Sequence, residues 1–148
     1  MKNLSYSALL ACFLIAPFAA LATDDAKILI NCSNLDDSGG NLVYTLYATE
    51  ESYNAEKNEL AHLTVSVAAG DVDTAAFNHL KPGIYTVTAF HDSNMDGELN
   101  TGAFGRPKEQ FAISNISRRL WSKPHWQETS FEVRAGDPKS INLLFKMQ

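Results

Sequence analysis

Apolar residues in this chain recur at every second position, in one short run after another, and nowhere sustain the spacing of a helix face. In 26–32, Ile28, Ile30 and Cys32 fall on one side, with Lys27, Leu29 and Asn31 on the other. Successive side chains of a strand point to opposite faces, so this alternation specifies half-buried β structure. Residues 42–49, 63–67, 73–77, 131–134 and 140–146 read the same way, and in the last of these Ile141, Leu143 and Phe145 point together. The run 84–90 is β-branched and aromatic at both parities, as a strand buried on both faces requires.

Turn signals separate these runs. Asp36-Asp37-Ser38-Gly39-Gly40, Lys81-Pro82-Gly83 and Ala135-Gly136-Asp137-Pro138 are clusters of residues that favour tight bends. Residues 50–60 are polar and could hold a helical turn, but read mostly as loop. About seven short strands punctuated in this manner predict an all-β chain, a single antiparallel β-sandwich of immunoglobulin or prealbumin type. The segment 100–128 breaks the strand rhythm with Gly102, Gly105, Pro107 and Pro124. Connections this long inside a small domain are either functional or mobile as a rule. Its Phe104, Phe111, Ile113, Leu120, Trp121 and Trp126 argue for a segment folded over one end of the sandwich.

The first residues form an address. Lys2 precedes an apolar stretch, 9–22, that closes on Ala20-Leu21-Ala22, an Ala-x-Ala cleavage signal ahead of Thr23-Asp24-Asp25. The expected organisation is a signal peptide over 1–22, a single domain over 23–148, no transmembrane segment in the mature chain, and a periplasmic or secreted product. Leu9-Leu10-Ala11-Cys12 offers an alternative lipoprotein box. The apolar core ahead of Cys12 is short and a further apolar run follows it, which favours cleavage after Ala22. Processing leaves Cys32 as the sole cysteine, so no intrachain disulfide is expected and Cys32 reads as a small buried strand residue. A net charge of −5 argues against nucleic acid and anionic membrane partners.

One stretch carries a definable chemistry. Asp92-Ser93-Asn94-Met95-Asp96-Gly97-Glu98-Leu99-Asn100 places oxygen-bearing side chains at loop positions one, three, five and nine, with glycine at six. That spacing wraps a short loop around a hard cation, and calcium is the cofactor it suggests. Asp92, Asn94, Asp96 and Asn100 would contribute side chains, and Glu98 its backbone carbonyl. Position twelve is Ala103 rather than a bidentate glutamate, and a strand precedes the loop, so this is an EF-like loop on β structure. Glu109 is a candidate for a compensating carboxylate. The competing reading is an Asx-rich turn that binds nothing.

From His91-Asp92 through Asn100, then Gly105-Arg106-Pro107-Lys108-Glu109 and the run 111–115, the chain resembles the bacterial domain-of-unknown-function family 2141. Its members typically read His-Asp, an Asn/Gly/Asp loop, a Gly-x-Pro-x-Glu step and a Gly-Phe-Ser-Asn run. Here Ala112-Ile113-Ser114-Asn115 stands where Gly-Phe-Ser-Asn is usual, followed by the basic pair Arg118-Arg119. The resemblance implies an exported sandwich like the transthyretin or carboxypeptidase regulatory domains, and brings no established activity.

The remaining candidates are weaker. No histidine pair has zinc-motif spacing, and no serine lies in a nucleophile elbow. His91 beside Asp92 supports a hydrolase or lyase reading, against which stands a hydrogen-bonded strand-end residue. Lys108, Arg118, Arg119 and Lys123 make a modest basic patch. Trp121 and Trp126 read first as core, with stacking on sugar rings as the alternative. Phe104, Arg118, Arg119, Trp121, His125 and Trp126 are the candidate surface for a protein or glycan partner. The third function class is a purely structural domain of an envelope assembly.

Overall fold

The computed structural model describes residues 25–36, 38–67, 74–118 and 121–146, and the side chain of Phe104 is not among those described. The expected signal peptide, Cys12 and Arg119 all lie outside the described residues. Among the described residues eight strands form two sheets that do not close into a barrel: β1 (Ala26–Ser33), β2 (Gly40–Tyr47), β3 (Ala61–Val67), β4 (Thr74–Leu80), β5 (Gly83–Asp92), β6 (Phe111–Ile113), β7 (Phe131–Val133) and β8 (Lys139–Leu144). The smaller sheet has the order β4-β1-β8. The larger runs β3-β2-β5-β6, and β7 also pairs with β5.

The core lies between the sheets and is built by the alternation. Ile28, Ile30 and Cys32 from β1, with Ile141, Leu143 and Phe145 from the β8 end, face Leu42, Tyr44 and Leu46 of β2 and Tyr85, Val87 and Ala89 of β5. Ile28, Leu42, Leu46, Val87 and Leu143 are fully buried. Each such aliphatic side chain contributes about 1.5–3 kcal/mol relative to exposure. Cys32 is buried, with Sγ 3.0 Å from the Tyr44 hydroxyl. β5 is buried along one face, at Tyr85, Val87, Ala89 and His91; on the other, Thr86 and Asp92 are buried, Thr88 and Phe90 are half-buried and Ile84 is exposed, so the expectation of burial on both faces holds only in part.

Two features depart from expectation. The sheets are not wholly antiparallel: β1 and β8 run parallel, with Ile28 opposite Lys139 and Ser33 opposite Leu144. Alternation fixes which face a residue occupies and is indifferent to strand direction, so this pairing left no trace in the pattern. The long connection also holds structure of its own. β6 pairs with the second half of β5, Thr88 to Phe90, while the expected strand β7, which follows the connection, pairs with its first residues, Gly83 to Tyr85.

Between β6 and β7 the chain leaves the β5 edge, and buried hydroxyls replace ladder bonds there. Ser114 Oγ accepts from Val87 N (3.1 Å) and donates to Thr129 O (2.7 Å), while Thr86 and Thr129 hydroxyls meet at 3.0 Å. Two short α-helices accompany the sheets among the described residues, α1 (Glu50–Ala55) and α2 (Trp126–Thr129). α1 begins where the Thr49 side chain accepts from Ser52 N, with Glu50 and Glu51 in its first turn. That is the arrangement expected at a helix N-terminus, and it supplies the helical turn that the 50–60 segment could hold, with irregular backbone following it.

Candidate functional site: the 92–100 loop and the adjoining cleft

β5 ends on Asp92, which is buried, and the chain turns back on itself at once. Asp92 Oδ1 accepts from Asp96 N (3.1 Å) and Oδ2 from Gly97 N (2.8 Å), so one carboxylate closes the loop. Gly97 has φ +82°, the left-handed backbone that the bend at the sixth position demands. Asp96 then gathers the other side chains. Its Oδ2 accepts from Asn94 Nδ2 (2.8 Å) and Asn100 Nδ2 (3.0 Å), and its Oδ1 from Glu98 N (2.9 Å). These bonds, the Glu98 amide foremost, hold the Asp96 carboxyl below the usual aspartate range. The Glu98 side chain is exposed.

The structure therefore brings Asp92, Asn94, Asp96 and Asn100 onto one small loop. Their oxygens currently serve N–H donors. Rotating the Asn94 or Asn100 amide by half a turn presents an oxygen in place of the NH2 that now faces Asp96. Among the described residues no three His, Cys, Asp or Glu side chains form a metal-holding group. A cation here must draw on amide and backbone oxygens beside the two aspartates, a set that suits a hard ion.

Glu109 fastens the loop from behind. It is buried, and its two oxygens accept from Ser93 N (3.2 Å) and Asn100 N (3.0 Å), the two ends of the turn. The neighbouring Gln110 accepts from Asp36 N (2.9 Å) and donates to Asn34 O (3.0 Å), tying the same end of the fold to the β1–β2 turn. His91 makes a third tie. It is 3% exposed, Nε2 donates to Gly39 O (2.7 Å), and Nδ1 lies 3.3 Å from Asp36 Oδ1. Hydrogen bonds from Ser38, with the His91 charge a smaller contribution, hold the Asp36 carboxyl below its ordinary value. Both nitrogens of His91 face acceptors of the β1–β2 turn, which is the position of a structural tie.

The loop runs directly into the wall of a cleft of about 750 Å³ on the outer face of the larger sheet. Thr45 and Tyr47 of β2, Thr88 and Phe90 of β5, and Phe111 and Ile113 of β6 lie along its floor. Leu99, Thr101, Arg106 and Pro107 line one side, and Tyr53, Glu56, Trp121 and Lys123 another. Lys123 Nζ bonds Glu56 (2.8 Å) and sits 4.4 Å from the centre of the Tyr53 ring. Burial pushes the Tyr53 hydroxyl up to about 12, and it donates to Pro124 O (3.0 Å).

The candidate partner surface is divided. Trp121 lines the cleft and is 89% exposed, so it is no part of the core. Its position next to Lys123 and Pro124 carries it away from the sheets. Trp126 packs against Tyr53, ring centres 5.9 Å apart. Arg118 pairs with Glu128 (2.6 Å), and His125 stands at the N-terminus of α2, where its backbone N–H donates to Glu128 Oε1 (3.1 Å) while the residue stays exposed. Sequence reading missed Tyr47, Tyr53 and Arg106, which come from three separate parts of the chain.

A family model described as an uncharacterized protein conserved in bacteria (DUF2141) matches residues 30–142, more than half of the chain. No curated protein and no solved structure matches it.

Proposed function

The chain belongs to the DUF2141 family, and on that premise we propose that it is an extracytoplasmic binding module whose cleft receives a partner and whose 92–100 loop takes calcium. The ion is held by Asp92, Asn94, Asp96 and Asn100, with the Glu98 carbonyl, and it stiffens the loop that becomes the cleft wall. One observation carries this reading. Glu109 grips both Ser93 and Asn100, so the loop and the wall that begins at Leu99 are a single mechanical piece. Calcium is abundant outside the cytoplasm, where the Ala-x-Ala leader would send the chain. The same setting accords with a prealbumin or immunoglobulin type of sandwich, to which the two facing sheets lend support.

A hydrolase or lyase built on His91 is less favoured, because His91 does not line the cleft and both its ring nitrogens face acceptors. A purely structural envelope domain gives no reason for an open cleft walled by an exposed tryptophan. Among the described residues no helix is long and apolar enough to cross a membrane.

Melting curves of the mature protein with calcium and with chelator test the proposal. At a calcium concentration about 100 times Kd, binding to the folded state alone adds about 2.7 kcal/mol, a shift of several degrees. The paired change Asp92→Ala with Asp96→Ala abolishes that shift. Superimposed curves for the wild type in calcium and chelator would remove the metal from the account.

A further inference from the structure

We propose that the cleft binds a glycan bearing carboxylates, a uronic-acid oligosaccharide, with Trp121 stacked on a sugar ring and Arg106 paired to a carboxylate; this rests on the reading of the cleft as a binding site. The charge arrangement points to the acid. The chain carries a net −5, yet the charged side chains at the cleft are Arg106, Lys123 and Glu56. Lys123 and Glu56 neutralise one another. Arg106 is exposed, and among the described residues it enters no ion pair. A lone guanidinium at the rim of a cleft in an acidic protein is complementary to an anion, and its planar fork fits a carboxylate with two parallel bonds.

The rest of the lining points to the sugar. Trp121 presents nearly all of its surface to solvent beside the cleft, which leaves the ring free to stack on an occupant. Thr45, Thr88, Thr101 and Ser122 bring hydroxyls able both to donate and to accept, as sugar hydroxyls do. A peptide adding to the sheet would need a free strand edge, and the cleft offers none. β2, β5 and β6 are paired with one another, and the outer side of β6 is taken by Phe111 and Lys146, which exchange backbone bonds at 3.1 Å in both directions. The occupant must therefore be recognised by side chains on a sheet face, through stacking, hydroxyl contacts and one ion pair.

Three probes decide the matter by calorimetry and tryptophan fluorescence on the mature protein: a tetramer of β-1,4-linked glucuronic acid, its methyl ester, and a hexapeptide with a free carboxyl terminus. The expected result is saturable binding of the acid with a change in Trp121 emission, and binding of the ester weaker by about tenfold or more, the usual weight of a charge-assisted hydrogen bond. Arg106→Gln brings the acid down to the ester's affinity and leaves the ester unchanged. Trp121→Ala weakens both by a similar factor and removes the emission change. Both side chains are solvent-exposed, so unchanged melting temperatures show that the variants fold. Equal affinity for acid and ester, or indifference to Arg106→Gln, overturns the proposal. Tighter binding of the hexapeptide in the same cleft also overturns it while leaving the binding-module reading intact. If none of the three probes binds, the glycan proposal falls. The calcium melting curves judge the loop separately, since they involve no sugar.

Discussion

Replacing Glu109 with glutamine removes one half of the grip on the loop and leaves shape and volume nearly unchanged. In the wild type both oxygens accept, from Ser93 N and Asn100 N. Glutamine keeps one acceptor and turns an NH2 toward the other amide, so one bond becomes a donor facing a donor. A hydrogen bond to a charged group contributes about 1.5–3 kcal/mol, and a stranded donor costs about 1–3 kcal/mol. Ser93 is exposed and Asn100 half-buried, so water can reach the released amide and the lower end applies. The expected loss is about 1–2 kcal/mol, which lowers Tm by about 3–8 °C in a domain of this size. Thermal unfolding by circular dichroism measures it, and amide hydrogen exchange localises it. Exchange at Ser93 and Asn100 should accelerate while Leu42 and Val87 in the core stay protected. A variant as stable as the wild type, with those two amides exchanging at the original rate, would refute the idea that Glu109 holds the loop.

Gly40 has φ +117°, and a Cβ placed there would lie 2.6 Å from Asp92 O; Gly40→Ala should therefore cost more than about 2 kcal/mol in chemical denaturation, from strain and overlap together. Ser114→Ala strands Val87 N and removes the donor to Thr129 O, and a loss of about 2 kcal/mol, measured the same way, is expected from a buried site of this kind. At high pH, the Tyr53 hydroxyl is raised from 10.0 to about 12. Folding favours its neutral form, so its contribution is complete below about pH 10 and is lost as pH climbs toward 12; Tyr53→Phe should flatten that limb of the stability curve. At low pH the sign reverses. Asp36 is held below 3.8 in the folded chain, so the stability it supplies is present above that value and fades as pH falls beneath it. Asp36→Asn should shallow the acid limb of a denaturation series.

Much of the fold was legible because burial and strand geometry share one period. Ile28, Ile30 and Cys32, or Ile141, Leu143 and Phe145, announce their face directly. What period two does not encode is the neighbour, so the parallel pairing of β1 with β8 stayed hidden. β6 is three residues long and stands just after a Gly/Pro-rich stretch, too short to establish an alternation. A helical turn within 50–60 was legible, but the extent of α1 was not, because its residues lack an apolar face long enough to register. The loop was legible through the fixed offsets of Asp92, Asn94, Asp96 and Asn100, which are local. Glu109 could be suspected but not placed, since its bonds to Ser93 and Asn100 depend on how β6 returns beside β5. The cleft was invisible for the same reason. The pair Tyr47 and Tyr53, Arg106 and Trp121 come from distant stretches of the chain and line one cleft only once the larger sheet is assembled.

The claim at the centre of this account is that the 92–100 loop and the cleft wall respond to calcium as one body. A titration of isotope-labelled mature protein with calcium chloride, followed by amide chemical shifts, tests it residue by residue. The account predicts saturable shifts at Asp96, Gly97 and Glu98, with Thr101 and Arg106 moving along the same binding curve. Loop amides that stay fixed through millimolar calcium, or that shift while Thr101 and Arg106 do not, would contradict it.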